Sequence, residues 1–123
     1  MAKCDEGYLC DVCGQDVANL TDSDLYLRYI VGMLDAEVLH TTPERHIRCN
    51  PTLAQYIVAD DFAPIFVGGP FDKRTLDSRF VAAQQQLLTR GWERLNEMAG
   101  QEEIPIIGYP LPEVLEKNRQ RPG

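Results

Sequence analysis

Every cysteine and histidine of this 123-residue chain falls within its first 49 positions: Cys4, Cys10, Cys13, His40, His46 and Cys49. An ion gripped from both ends of that stretch would clamp together segments that are distant in sequence. That restricts the fold more than any apolar pattern in the same region. Three of the four cysteines stand beside charge or glycine and outside any apolar stripe, so the role of small buried residue suits them poorly. In Cys10-Asp11-Val12-Cys13-Gly14 two thiolates can face one ion while turn N–H groups point at the sulfurs, and the glycine allows the positive φ that closes the turn. A structural zinc takes four ligands. His46-Ile47-Arg48-Cys49 supplies a second pair with the same gap, directly before an Asn50-Pro51 helix start whose dipole would favour a thiolate. The expected metal ligands are therefore Cys10, Cys13, His46 and Cys49. Cys4 and His40 are the reserves: Cys4 would displace His46 from the ion, and His40 would require the end of a preceding helix to fold over the turn.

The C-x-x-C-G turn looks like the zinc knuckle of many small zinc proteins. Knuckle first, then a ligand pair at a helix start, resembles the treble-clef arrangement of zinc sites. Treble clefs place a β-hairpin between the two, where this chain is expected to form a helix. The spacing of Cys4, Cys10, Cys13 and Cys49 is also similar to that of adrenodoxin-like ferredoxins. That resemblance implies a [2Fe-2S] cluster on all four cysteines and electron transfer as the activity. The rest of the chain does not suggest the β-grasp sheet of those ferredoxins, so zinc is the preferred cofactor and [2Fe-2S] the alternative. A thioredoxin-like dithiol would need an apolar strand leading into Cys10, and the residues before it read as loop.

Charge is divided as unevenly as the thiols. Residues 1–61 carry eleven acids and four bases, whereas residues 62–123 carry eight of each, for a net charge of −7. An acidic chain is a poor nucleic-acid partner, because that affinity comes mainly from Lys and Arg on phosphates. No apolar run approaches the roughly 18–20 residues that span a bilayer. The first twenty residues hold no basic stretch followed by an apolar one, so no secretory signal is expected and the expected location is cytoplasmic. The length suits a single domain, with an acidic metal-binding half over 1–61 and a long-helix half over 62–123.

The fold class expected is mostly α with short extended segments. Thr21 and Asp24 read as a capping box opening a helix over 22–34, with Tyr26, Tyr29, Ile30, Met33 and Leu34 as its apolar stripe. A short helix through Val38 and Leu39 must stop at Pro43. Asn50 caps a third helix from Pro51 to near Asp60, burying Leu53, Tyr56 and Ile57. Residues 62–67 are extended, with Pro64 confining them to an edge strand or a packed loop. The longest helix is expected over 77–99, with Phe80, Val81, Gln84, Leu87, Leu88, Trp92, Leu95 and Met98 on a broad face. Gly91 inside it implies close packing against a neighbour. Residues 104–107 are extended, and 113–118 form one or two helical turns.

No other motif carries chemistry. Gly68-Gly69 lacks the lysine and hydroxyl of a P-loop, and the Asp60-Asp61 and Glu102-Glu103 doublets read as solvated helix ends. Two function classes follow: a non-catalytic binding or scaffold module built around zinc, or a redox carrier or enzyme using [2Fe-2S] or an open-site metal. The breadth of the long-helix face points to a protein partner or a homodimer packed along it.

Overall fold

The computed structural model describes residues 9–17, 19–39, 41–99 and 108–120. Among these, all regular structure is helical: α1 (Asp24–Ile30), α2 (Pro51–Ala54), α3 (Ser78–Ala99) and α4 (Pro112–Gln120), joined by short 3-10 turns. There is no strand among the described residues. Extended pairing is limited to two isolated antiparallel bridges, Leu9 with Asp16 and Ser23 with His46.

Helix α1 starts later and ends sooner than the apolar pattern predicts. Ser23, rather than Thr21, caps it: the Ser23 Oγ accepts from the Tyr26 N–H at 3.1 Å. It stops at Gly32, whose φ of 89° leaves the right-handed helix. The N–H groups of Gly32 and Met33 then bond back to the carbonyls of Tyr29 and Arg28, the double closure of a Schellman motif. Residues 31–34 therefore lie beyond the helix. The next predicted helix is only a 3-10 turn, Ala36–Val38. The Thr42 hydroxyl doubles onto the Val38 carbonyl that its own N–H already bonds.

Helix α2 has four residues instead of ten. After Ala54 the chain tightens into i→i+3 bonds, and the Val58 N–H goes to the Thr89 hydroxyl of α3 rather than to a helical carbonyl. Tyr56 and Ile57 are nonetheless buried, as their spacing predicts. Asn50 does not cap α2, because its side-chain amide is committed to Asp24. Residues 62–67 form an irregular loop anchored by Phe62, whose ring is edge-on to Trp92 at 5.4 Å, while Ala63, Pro64 and Phe66 are exposed.

Helix α3 matches its prediction closely. Asp77 Oδ2 accepts from the Arg79 and Phe80 N–H groups, and the C-terminal part buries Leu88, Gly91, Trp92, Leu95 and Met98. Gly91 faces the end of α1 at close quarters: a Cβ there would overlap Val31 Cγ1, just past the helix, and press on Leu27 Cδ1 at 3.3 Å. Helix α4 packs at the end of α1, held by the Leu111 N–H on the Ile30 carbonyl and by an Arg90–Glu113 ion pair with α3. It extends past the one or two turns predicted over 113–118. The apolar core is one cluster that joins α1, Ile47, Tyr56, Ile57, Phe62, α3 and Val114. Acidic and long-helix halves thus share a single interior. The extended segment predicted at 104–107 lies outside the described residues.

Candidate metal centre

Residues 9–16 fold into a tight turn. The Cys10 N–H bonds the Gln15 carbonyl at 2.8 Å, the Gly14 N–H bonds the Cys10 carbonyl at 2.9 Å, and Gly14 adopts the positive φ of 76°. The Val12 N–H points at Cys10 Sγ, 3.4 Å away. This is the local geometry that C-x-x-C-G requires. The second ligand segment reaches the turn because it pairs with the start of α1. The Asp24 N–H donates to the Arg45 carbonyl, and the Asp11 N–H donates to the Glu44 carbonyl.

The ligand atoms of Cys10, Cys13, His46 and Cys49 consequently lie within 4.8 Å of one another, close enough to hold one metal ion. Cys10 is buried, His46 and Cys49 are half-buried, and Cys13 is exposed. The imidazole is oriented for the task. His46 Nε2 sits 2.9 Å from the Asp16 carbonyl, an acceptor only, so that nitrogen carries the proton. Nδ1 then faces the sulfurs with its lone pair, 3.4 Å from Cys13 Sγ and 3.8 Å from Cys49 Sγ. Outer hydrogen bonds of this kind fix the tautomer of metal-binding histidines.

The electrostatics are those of crowded soft donors. Burial works against the Cys10 thiolate, but N–H groups from Cys13, His46 and Val12 and the His46 ring outweigh it, lowering the thiol to about 6. Burial together with the nearby Cys10 and Cys13 sulfurs pushes Cys49 up to about 12. The lowered thiol expected for Cys49 at a helix start is thus not what its surroundings favour: burial, then the two sulfurs, act the other way, and α2 is only one turn long. For His46, burial opposes protonation, yet the Asp16 carbonyl and the Cys10 and Cys13 sulfurs raise its pKa overall. A cation among three thiols and an imidazole would relieve this crowding.

A polar frame that the sequence did not reveal holds the two ligand pairs in register. Arg45 grips Asp11 through both guanidinium arms, at 2.8 and 2.9 Å, tying the residue after Cys10 to the residue before His46. Behind it the Ser23 hydroxyl donates to Glu44 Oε1, and the Asn50 amide donates to Asp24 Oδ1 at 3.0 Å. Asp24 is also ion-paired with Arg28 at 2.8 Å. The only trace of this frame in the sequence is a run of polar residues at 44–50 beside the ligands, which reads equally well as an exposed loop. The reserve ligands Cys4 and His40 lie outside the described residues. No family model, curated protein or solved structure matches this chain.

Proposed function

We propose that this chain is a small zinc protein. Cys10, Cys13, His46 and Cys49 hold one structural ion, and the fold serves as a non-catalytic binding or scaffold module. The observation that carries the reading is the convergence of four soft donors, with His46 Nδ1 turned inward by its bond to the Asp16 carbonyl. Bonds of about 2.3 Å to sulfur and 2.0–2.1 Å to nitrogen place tetrahedral sulfur and nitrogen ligands about 3.6 Å apart. The two sulfur–nitrogen separations of 3.4 and 3.8 Å bracket that value. A two-iron cluster spreads its ligands over two metal atoms, so a set this compact favours a single ion over [2Fe-2S]. Four protein donors leave no position for a reacting water, which favours a structural over a catalytic role. When bound, the ion supplies a cross-link between the knuckle and the 46–49 segment.

The binding role is supported by an open, mainly apolar groove of about 500 Å³ between the α1–α2 region and the start of α3. Met33, Leu53, Tyr56, Phe71, Leu76 and Phe80 line it, and Phe71 and Phe80 are 66 % and 49 % exposed. This is the uncovered end of the stripe from which a protein partner or homodimer was expected. Elemental analysis with a visible spectrum tests the reading: a colourless protein with one zinc per chain supports it. A coloured protein containing iron would replace it with the electron-carrier alternative.

A further inference from the structure

We propose that Cys13 is a thiol-exchange site, through which a low-molecular-weight disulfide oxidises the knuckle and expels the ion. The inference rests on the metal reading above. Its first support is unequal access. Cys13 is exposed, whereas Cys10 is 3 % exposed with the Val12 N–H against its sulfur, and Cys49 is half-buried. Thiol–disulfide exchange needs a thiolate that the attacked sulfur can reach, and in this site only Cys13 offers that readily.

Its second support is which sulfur can finish the reaction. Cys13 Sγ attacks one sulfur of the small disulfide, forming a mixed disulfide and releasing one small thiolate. The neighbouring thiolate of Cys10 then attacks Cys13 Sγ, forming the Cys10–Cys13 bond and releasing the second. Two protein thiolates thereby lose two electrons, and the small disulfide gains them as it becomes two thiolates, which take up protons from water. Cys10 is the resolving residue because three positions of chain keep it near Cys13 with or without the ion. Cys49 reaches the knuckle only through contacts between separate segments, chiefly the Arg45–Asp11 pair and the Asp11 N–H on the Glu44 carbonyl. The ion is left with His46 and Cys49, half of its ligand set, and dissociates.

The experiment treats the full chain, with its zinc content measured beforehand, with excess glutathione disulfide. Zinc release is followed with a colorimetric chelator and disulfides are mapped by mass spectrometry. Zinc is expected to leave in step with a Cys10–Cys13 bond while Cys49 stays free to alkylate. Brief alkylation of the untreated protein is expected to label Cys13 about tenfold faster than Cys10 or Cys49. Cys13→His, which keeps a donor atom, is expected to release zinc about tenfold more slowly. If it fails to bind zinc, the labelling order on the unaltered chain decides. First labelling at Cys10 or Cys49, a mapped Cys13–Cys49 bond, or retention of zinc under excess disulfide would overturn the proposal. Absence of zinc before oxidation would instead sink the metal reading itself.

Discussion

Removing the ion with a chelator is expected to release residues 9–17 while α1 and α3 stay packed together. Ordering nine knuckle residues costs about 9–18 kcal/mol of backbone entropy. Among the described contacts, three backbone hydrogen bonds hold the knuckle: Cys10 to Gln15, Gly14 to Cys10 and Asp11 to Glu44. At about 0.5–1.5 kcal/mol each they fall well short. Burial of Val17 adds about 1.5–3 kcal/mol, and the half-exposed Arg45–Asp11 pair at most about 1 kcal/mol. The shortfall, from under about 1 to about 15 kcal/mol, does not exceed the roughly 10–16 kcal/mol that a structural zinc provides. Helix α1 needs no such help, since Leu25, Leu27, Ile30 and Val31 belong to the same buried cluster as Leu88, Trp92 and Leu95. Amide hydrogen exchange with and without chelator reads the difference directly. The N–H groups of Cys10, Asp11 and Gly14 are expected to lose nearly all protection, and those of α1 and of residues 88–98 to keep theirs. Uniform loss along the chain would refute the reasoning, and so would a knuckle that stays protected without metal.

Gly91→Ala gains about 1 kcal/mol of helix propensity but drives a methyl into Val31 Cγ1, an overpacking cost of about 1–3 kcal/mol. A net loss in urea denaturation is expected, and Val31→Ala in the same chain is expected to recover about 1–2 kcal/mol of it as a coupling energy; additive effects would show that the two sites do not touch. Burial raises the Asp24 pKa despite Arg28 and Asn50. Its contribution is therefore fully present below the unfolded value of 3.8 and lost as pH rises through the raised folded value. In chelator-treated protein, Asp24→Asn is accordingly expected to match or exceed the parent urea midpoint near pH 7, with the gap closing on acidification; a clear loss at pH 7 would show that the Arg28 ion pair outweighs the burial cost.

What the sequence made legible follows from how local each signal is. The C-x-x-C-G turn needs only its own five residues, and α3 announces itself through twenty-two positions of consistent period, so both appear where expected. Helix α1 is shorter than its apolar stripe because a local stop overrides the pattern, whereas the end of α2 is decided by a distant residue. Gly32 stops α1 with a Schellman closure, and Thr89, thirty-one positions away from Val58, takes the N–H that would have extended α2. Asn directly before Pro predicts a cap at Asn50. Its amide instead serves Asp24, a partner that only the tertiary fold brings near. The convergence of Cys10, Cys13, His46 and Cys49 is legible from the equal gaps. The Arg45–Asp11 clasp and the Asp16 carbonyl on His46 are not, since nothing in composition or period distinguishes them from ordinary surface polarity.

The central claim is that these four side chains surround one zinc ion, and X-ray absorption at the zinc edge on the purified full chain addresses it most directly. The expected spectrum is one zinc per chain with three sulfur neighbours at about 2.3 Å and one nitrogen at about 2.0–2.1 Å. Four sulfurs would place Cys4 on the ion instead of His46, an additional oxygen would indicate an open site, and a preparation holding no zinc would contradict the account outright.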